Sequence, residues 1–148
     1  MLGPLGHYGW QRHSEEMGIR LVGTSMLRKL NTELVTYSAT YGRGFPDRLD
    51  RCSPPRAGQP DIDHADLLDK DLFDPSKGAT TNSFVKDGYR FTYTPGPDRF
   101  GEITSYTISA RPLPYARSVS VLSYYTDESA VIRATPDDRA ATRDDPPR

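Results

Sequence analysis

The spacing of the apolar side chains changes once along this chain of 148 residues, and that change constrains the fold more than any other feature. From Ser14 to Tyr41, apolar residues recur at steps of three and four, which places them on one face of an α-helix. From Tyr89 onward they alternate with polar residues, as in a strand with one buried face. A one-sided helix and a one-sided sheet can each cover the other, so the pattern predicts an α+β fold.

The first segment predicts a long N-terminal amphipathic helix of about seven turns. Ser14 can cap its start, and Gly42 and Gly44 follow as stop signals. The apolar stripe of this helix needs a partner surface, which we expect to be the sheet. The predicted stripe consists of Val22, Met26, Leu27, Leu30, Leu34, Tyr37 and Tyr41.

The second half predicts an antiparallel sheet of about three or four strands, because the connections between the alternating segments are short. The alternation lapses near Ser105, which predicts a bulge or mixed burial at that point. Tyrosines beside β-branched residues are typical of ordinary sheet packing. The predicted sheet motif is Tyr89, Phe91, Tyr93, Tyr124 and Tyr125, and the predicted hairpin turn is Asp127, Glu128 and Ser129.

The ends of the chain differ in composition from its middle, and together they suggest one domain. Residues 1–13 contain three glycines and a proline without any periodicity, and we expect an unstructured lead-in. Residues 134–148 contain no apolar side chain larger than alanine or proline, which predicts a disordered tail. Residues 14–133 then form the single globular domain, with a short helix predicted at His64–Phe73.

Charge and hydropathy exclude some classes of function. The 19 Lys and Arg against 20 Asp and Glu give a net charge of -1, which argues against a basic nucleic-acid binder. No apolar run approaches the roughly 20 residues of a membrane-spanning helix, so we expect no membrane segment in this chain. The single cysteine, Cys52, has no internal disulfide partner.

The residues that usually carry chemistry do not form a recognisable site. His7, His13 and His64 lack metal-ligand spacing to a cysteine or to one another. The acidic stretch of residues 61–74 fails the calcium-loop template, because neither register supplies the required glycine at the sixth position. Asp127 and Glu128 are adjacent, so they point to opposite faces of an extended chain and make a poor acid–base pair. We therefore expect no catalytic, cofactor or metal site, and no enzyme activity.

Three segments carry a family resemblance when they are taken in order. They are LRKLNTELVTYSATYG at Leu27–Gly42, GYRFTYTP at Gly88–Pro95 and SYYTDESAVIR at Ser123–Arg133. This order resembles the globular part of bacterial type IV pilin-like proteins, the superfamily of pilins and type II secretion pseudopilins. The resemblance extends over most of the chain, from about Ser14 to Arg133.

The resemblance implies both a fold and a role. Members of that superfamily lay the C-terminal half of a long N-terminal helix across an antiparallel sheet. They assemble with other pilin-like subunits, or with other proteins of a pilus or secretion system, at the bacterial inner membrane, in the periplasm or at the cell surface. The resemblance thus implies a non-catalytic structural subunit without cofactors.

Two features depart from the family pattern. The basic leader, cleavage site and apolar half-helix of such precursors are missing from this sequence, where Met1–His13 stands instead. A truncated gene product, a misassigned start or a soluble derivative would each explain that difference. Ala130 also stands where the family pattern has glycine after Asp-Glu-Ser. The alternative function is a soluble adaptor or a small-ligand-binding module that reuses the fold.

Overall fold

The structure, a computed structural model, describes residues 23–114 and 122–148. One α-helix, α1, covers residues 23–41, and short 3-10 turns follow at Leu49–Cys52, Lys70–Phe73 and Pro75–Lys77. The strands are β1 at Ser83–Lys86, β2 at Tyr89–Pro95, β3 at Asp98–Arg99, β4 at Glu102–Ile103, β5 at Tyr106–Pro112, β6 at Ser123–Asp127 and β7 at Arg133–Thr135.

The strands form a five-stranded antiparallel sheet in the order β1-β2-β5-β6-β7 and a separate two-stranded hairpin of β3 and β4. That hairpin is inserted into the connection between β2 and β5. Pro95 pairs with Tyr106 at its base, and the Gly96 amide donates a 2.8 Å hydrogen bond to the Ser105 carbonyl. The large sheet is otherwise a simple meander, because each strand pairs with its nearest neighbour in sequence.

Helix α1 packs on one face of the large sheet. Tyr89, Phe91 and Tyr93 of β2 are buried, whereas Thr94 on the opposite face is exposed. Alternating residues of β5 are buried in the same way. One apolar core therefore lies between the helix and the sheet, as the two periodicities require.

The prediction of a long N-terminal helix is wrong as stated. The described helix is a short one of about five turns over residues 23–41, and residues 14–22 lie outside the described part of the chain. Apolar spacing alone does not fix the residue at which a helix begins, because the spacing carries no information about the cap. The end of α1 follows the expected pattern: Gly42 has φ +68°, and its amide bonds the Ser38 carbonyl.

The predicted three- or four-stranded sheet is also wrong, because the large sheet has five strands. The additional strand is β1, whose four residues are too short for periodicity to detect. The lapse near Ser105 corresponds to the break between β4 and β5. At the predicted helix His64–Phe73, the structure has only the 3-10 turn at Lys70–Phe73.

The prediction of disordered ends is wrong for the C-terminal end. The Ala134 amide donates to the Pro146 carbonyl and the Arg148 amide to the Ile132 carbonyl, so the tail lies along the free edge of β7. Composition missed this because hydrogen bonds and an ion pair hold the tail, rather than a large apolar surface. The predicted lead-in, residues 1–13, lies outside the described residues.

Within residues 23–114 and 122–148, no helix has the length and apolar character needed to cross a membrane.

Candidate interaction surface

The predicted helix stripe faces the sheet. Its central side chains are buried, Tyr41 at the end of α1 is half-buried, and Val22 lies outside the described residues. The residues of the stripe that are buried are Met26, Leu27, Leu30, Leu34 and Tyr37.

The residues of the predicted sheet motif divide between the two faces of the sheet. Tyr89, Phe91, Tyr93 and Tyr124 point into the core, and the Tyr93 hydroxyl donates a 2.6 Å hydrogen bond to the Pro46 carbonyl. Tyr125 is half-buried on the outer face, and its hydroxyl lies 3.1 Å from Asp127 Oδ2. The four inward aromatics are thus packing residues.

A buried polar residue, Asn31, joins the helix to the sheet. Asn31 Nδ2 donates to Thr126 Oγ1 at 3.0 Å, and the Tyr106 hydroxyl donates to Asn31 Oδ1 at 2.6 Å. Thr126 Oγ1 in turn donates to the Val131 carbonyl at 3.0 Å. Burial raises the pKa of Tyr106, with the charges of Glu128 and Asp127 adding to the shift, so its hydroxyl remains a donor.

Asn31 is a site residue that the apolar spacing did not single out, although the sequence carries a signal for it. Asn31 follows Leu27 by four residues, so it lies on the same helical face as the apolar stripe. A polar residue in such a stripe needs a partner, because a buried unpaired amide costs about 1–3 kcal/mol. Its two partners come from different strands, so the network determines how α1 sits along the sheet.

The predicted hairpin turn connects β6 to β7. Asp127 Oδ1 accepts a hydrogen bond from the Ser129 amide at 3.0 Å, and the Asp127 carbonyl accepts one from the Ala130 amide at 2.9 Å. Burial acts to raise the pKa of Asp127, but the hydrogen bonds from Ser129 and Tyr125 outweigh it, and the pKa lies below its ordinary value. Asp127 and Ser129 therefore stabilise the turn.

A cleft of about 280 Å³ lies at the C-terminal end of α1, and its wall includes Tyr37 and Arg51. The Tyr37 hydroxyl donates to the Ile62 carbonyl at 2.8 Å. Arg51 is paired with two carboxylates, those of Asp47 and Asp63. Three of the charged groups that line this cleft, those of Arg51, Asp47 and Asp63, are therefore paired with one another.

Cys52 lies in the core and is not a candidate nucleophile. The residue is fully buried, and burial raises the pKa of its thiol to about 12, with the charges of Glu33 and Asp50 adding to the shift. A thiol with that pKa is almost entirely protonated at neutral pH, and the thiolate is the reactive form.

The acidic stretch also serves the local structure. Asp61 Oδ1 accepts hydrogen bonds from the Asp63 and His64 amides at 2.9 Å and 2.8 Å. In the part of the chain that the structure describes, no three His, Cys, Asp or Glu side chains converge as metal ligands.

The most unusual surface feature of the described residues is the tip of the β3–β4 hairpin, which periodicity and composition did not predict. Phe100 is fully exposed there and has φ +59°, a left-handed conformation that bulky side chains rarely adopt. The signal in the sequence was the pair Phe100-Gly101 between two charged residues, Arg99 and Glu102.

Comparisons of the chain with protein-family models, with curated proteins and with solved structures found no significant match. The conclusions about function therefore rest on the residues and their geometry.

Proposed function

We propose that this chain is the head of a pilin-like structural subunit that works by protein–protein assembly. The observation that carries the proposal is the position of α1 on the inner face of an antiparallel meander, joined to it by Asn31. The three resembling segments imply a helix laid across an antiparallel sheet, although the helix that they imply is longer than α1. The partners we propose are other pilin-like subunits, or further proteins of a pilus or a type II secretion system.

The burial of the aromatic side chains of β2 favours an assembly role over nucleic-acid binding. Single-strand binders present aromatic faces on which bases stack. Here Tyr89, Phe91 and Tyr93 are buried beneath α1, so bases have no access to them. The outer side of α1 is exposed at Val35 and Ala39 and offers a surface for neighbouring proteins.

A small-ligand-binding module is the second candidate, and the cleft beside Tyr37 is the observation that favours it. Its volume of about 280 Å³ lies just below the roughly 300–1,000 Å³ of typical ligand sites. One of its two guanidinium groups, that of Arg51, already binds two carboxylates. We therefore favour assembly as the function.

Crosslinking in the cells that make the protein tests the proposal. A photoreactive amino acid at Ala39, on the exposed side of α1, should yield a ladder of products that contain two or more copies of the chain or another helix-plus-sheet subunit. The same variant without irradiation is the control. Recovery of monomer alone, at Ala39 and at the exposed Thr107 of β5, would contradict an assembly role.

Reading the coding DNA upstream of Met1 provides an independent test. A pilin-like subunit requires a leader and an apolar half-helix in the same reading frame. A stop codon directly upstream, without such a segment, would remove the filament role and leave the fold unaffected.

A further inference from the structure

Phe100 occupies a position that is unfavourable for folding in two respects. Its ring is fully exposed to solvent, and its φ of +59° is strained for a residue with a Cβ atom. A two-residue hairpin turn with two positive φ angles favours Asn or Asp before Gly, and neither would expose an aromatic ring. The folded chain itself gains nothing from a phenyl group at this tip.

The base of the same hairpin is held firmly. The Phe45 amide donates to the Ile103 carbonyl at 2.7 Å, and Gly44 bridges Ile103. A Cβ atom at Gly44 would lie 2.2 Å from the Ile103 carbonyl oxygen, so only glycine fits there. The exposed Phe100 ring thus projects from a well-anchored support, which reduces the entropy lost on binding.

An apolar cavity lies at the opposite end of the large sheet. It has a volume of about 290 Å³, and the hairpin and the cavity are separated by roughly the 20 Å length of the strands. Among its described lining residues only Arg148 is charged. The lining consists of Leu122, Ala134, Pro136, Pro146, Pro147 and Arg148.

We propose that Phe100 of one copy of this chain inserts into this cavity of a second copy. This inference rests on the proposed assembly function and names one contact for it. The occupant is a second copy because the chain itself carries both halves of the contact, at opposite ends of one sheet. Such a contact is head-to-tail, so repeated copies form an open chain unless the rotation closes a ring.

Size and chemistry both suit a phenyl ring. An apolar cavity of about 150 Å³ holds a benzene molecule, and this one is larger. Proline rings present apolar faces without an N–H group that needs a partner. Arg148 can approach the face of the inserted ring. The exposed hairpin carries two carboxylates, Asp98 and Glu102, against one cation, Arg99, so its net charge is opposite to that of Arg148.

Sedimentation velocity of the full chain over a wide concentration range tests the contact. Phe100→Asn removes the ring and supplies a residue that the turn accepts, so the variant should fold and its self-association should weaken at least about thirtyfold. Pro136→Asp should weaken self-association similarly by placing a carboxylate in the cavity. Val131→Asn removes another exposed apolar side chain, outside both halves of the contact and not on α1, and should leave association unchanged.

Mixing the two variants identifies the geometry. Phe100→Asn retains its cavity and Pro136→Asp retains its Phe100, so the mixture should form a one-to-one complex although neither variant self-associates. Association of Phe100→Asn at the parent level would overturn the contact and leave the assembly function standing. Loss in both variants without recovery on mixing would overturn the head-to-tail pairing. A parent chain that stays monomeric, and gives no crosslinked ladder in cells, would overturn both proposals.

Discussion

The β1–β2 and β3–β4 hairpins have the same kind of turn with different sequences. Lys86 pairs with Tyr89 in the first and Arg99 with Glu102 in the second, so each loop has two residues. Both central residues have positive φ in each case: +45° and +91° at Asp87-Gly88, and +59° and +82° at Phe100-Gly101. Asp before Gly suits this turn, whereas Phe does not.

The difference shows what holds each turn in place. The first hairpin belongs to the large sheet, where Phe84 is fully buried and stacks on Phe91 with ring centroids 5.1 Å apart. The second has strands of two residues, and only Ile103 among them is buried. In the first hairpin, the Asp-Gly sequence and the packing of the core both favour the observed turn. In the second, a backbone anchor at Gly44 imposes a turn that Phe100 disfavours.

The largest expected effect comes from exchanging the aromatic residue of each hairpin for alanine. Phe84→Ala should lower the free energy of unfolding by about 3–5 kcal/mol, because it leaves a cavity in the core. Phe100→Ala should change it by less than about 0.5 kcal/mol, because the ring contacts only solvent. Urea denaturation of the two variants measures both. Equal losses would contradict the contrast between the hairpins.

Gly44→Ala should lower the free energy of unfolding of the second hairpin by about 2–3 kcal/mol. The alanine would have a positive φ, and its Cβ atom would clash with backbone atoms of Ile103. The matched control is Gly42→Ala, which has φ +68° but no atom within 4 Å of the added Cβ. That control should cost about 1 kcal/mol from strain alone. Hydrogen exchange of the Phe45 amide and denaturant unfolding measure the loss of stability in each variant. Equal losses in Gly44→Ala and Gly42→Ala would show that the anchor is not at Gly44.

Phe100→Asn should raise the free energy of unfolding by about 1 kcal/mol, because asparagine tolerates the left-handed conformation. Asp87→Asn, the equivalent change in the first hairpin, should be neutral within about 0.5 kcal/mol. Thermal and denaturant unfolding of the two variants gives the comparison. A destabilised Phe100→Asn would mean that the ring has a role within the monomer.

Ala130→Gly extends the comparison to the connection between β6 and β7. Ala130 has φ +64°, and glycine there should stabilise the fold by about 0.5 kcal/mol, the relief of strain less the larger chain entropy of glycine. Denaturation midpoints at high precision measure the change. A loss of stability on this substitution would show that the alanine methyl group makes a packing contact worth more than the strain.

Acid should release the edge of the sheet that the tail covers. The hydrogen bonds from Arg139, and then from the Thr142 amide, lower the pKa of Asp145 from 3.8 to about 2. A carboxyl with a lowered folded-state pKa contributes stability above its ordinary pKa, and the contribution is lost as the pH falls from about 4 to about 2. NMR signals of the buried Ala141 should shift over that window, and Asp145→Asn should abolish the dependence.

Much of the core was predictable because it follows from periodicity. Leu30 and Leu34 on α1, and Phe91 on β2, lie where their spacing places them, since a regular helix or strand repeats its buried positions. Asn31 was predictable in principle, as a polar residue on an apolar face. The short strand β1 was not, because four residues carry too little alternation to detect.

The sequence by itself determined that a one-sided helix must meet a one-sided sheet, because burial of apolar surface drives both to the same interface. Only the tertiary structure decided the rest. It aligns α1 through the two partners of Asn31, places the tail on the edge of β7 and holds Phe100 at an exposed turn. These features depend on contacts between residues far apart in the chain, and no local periodicity records such contacts.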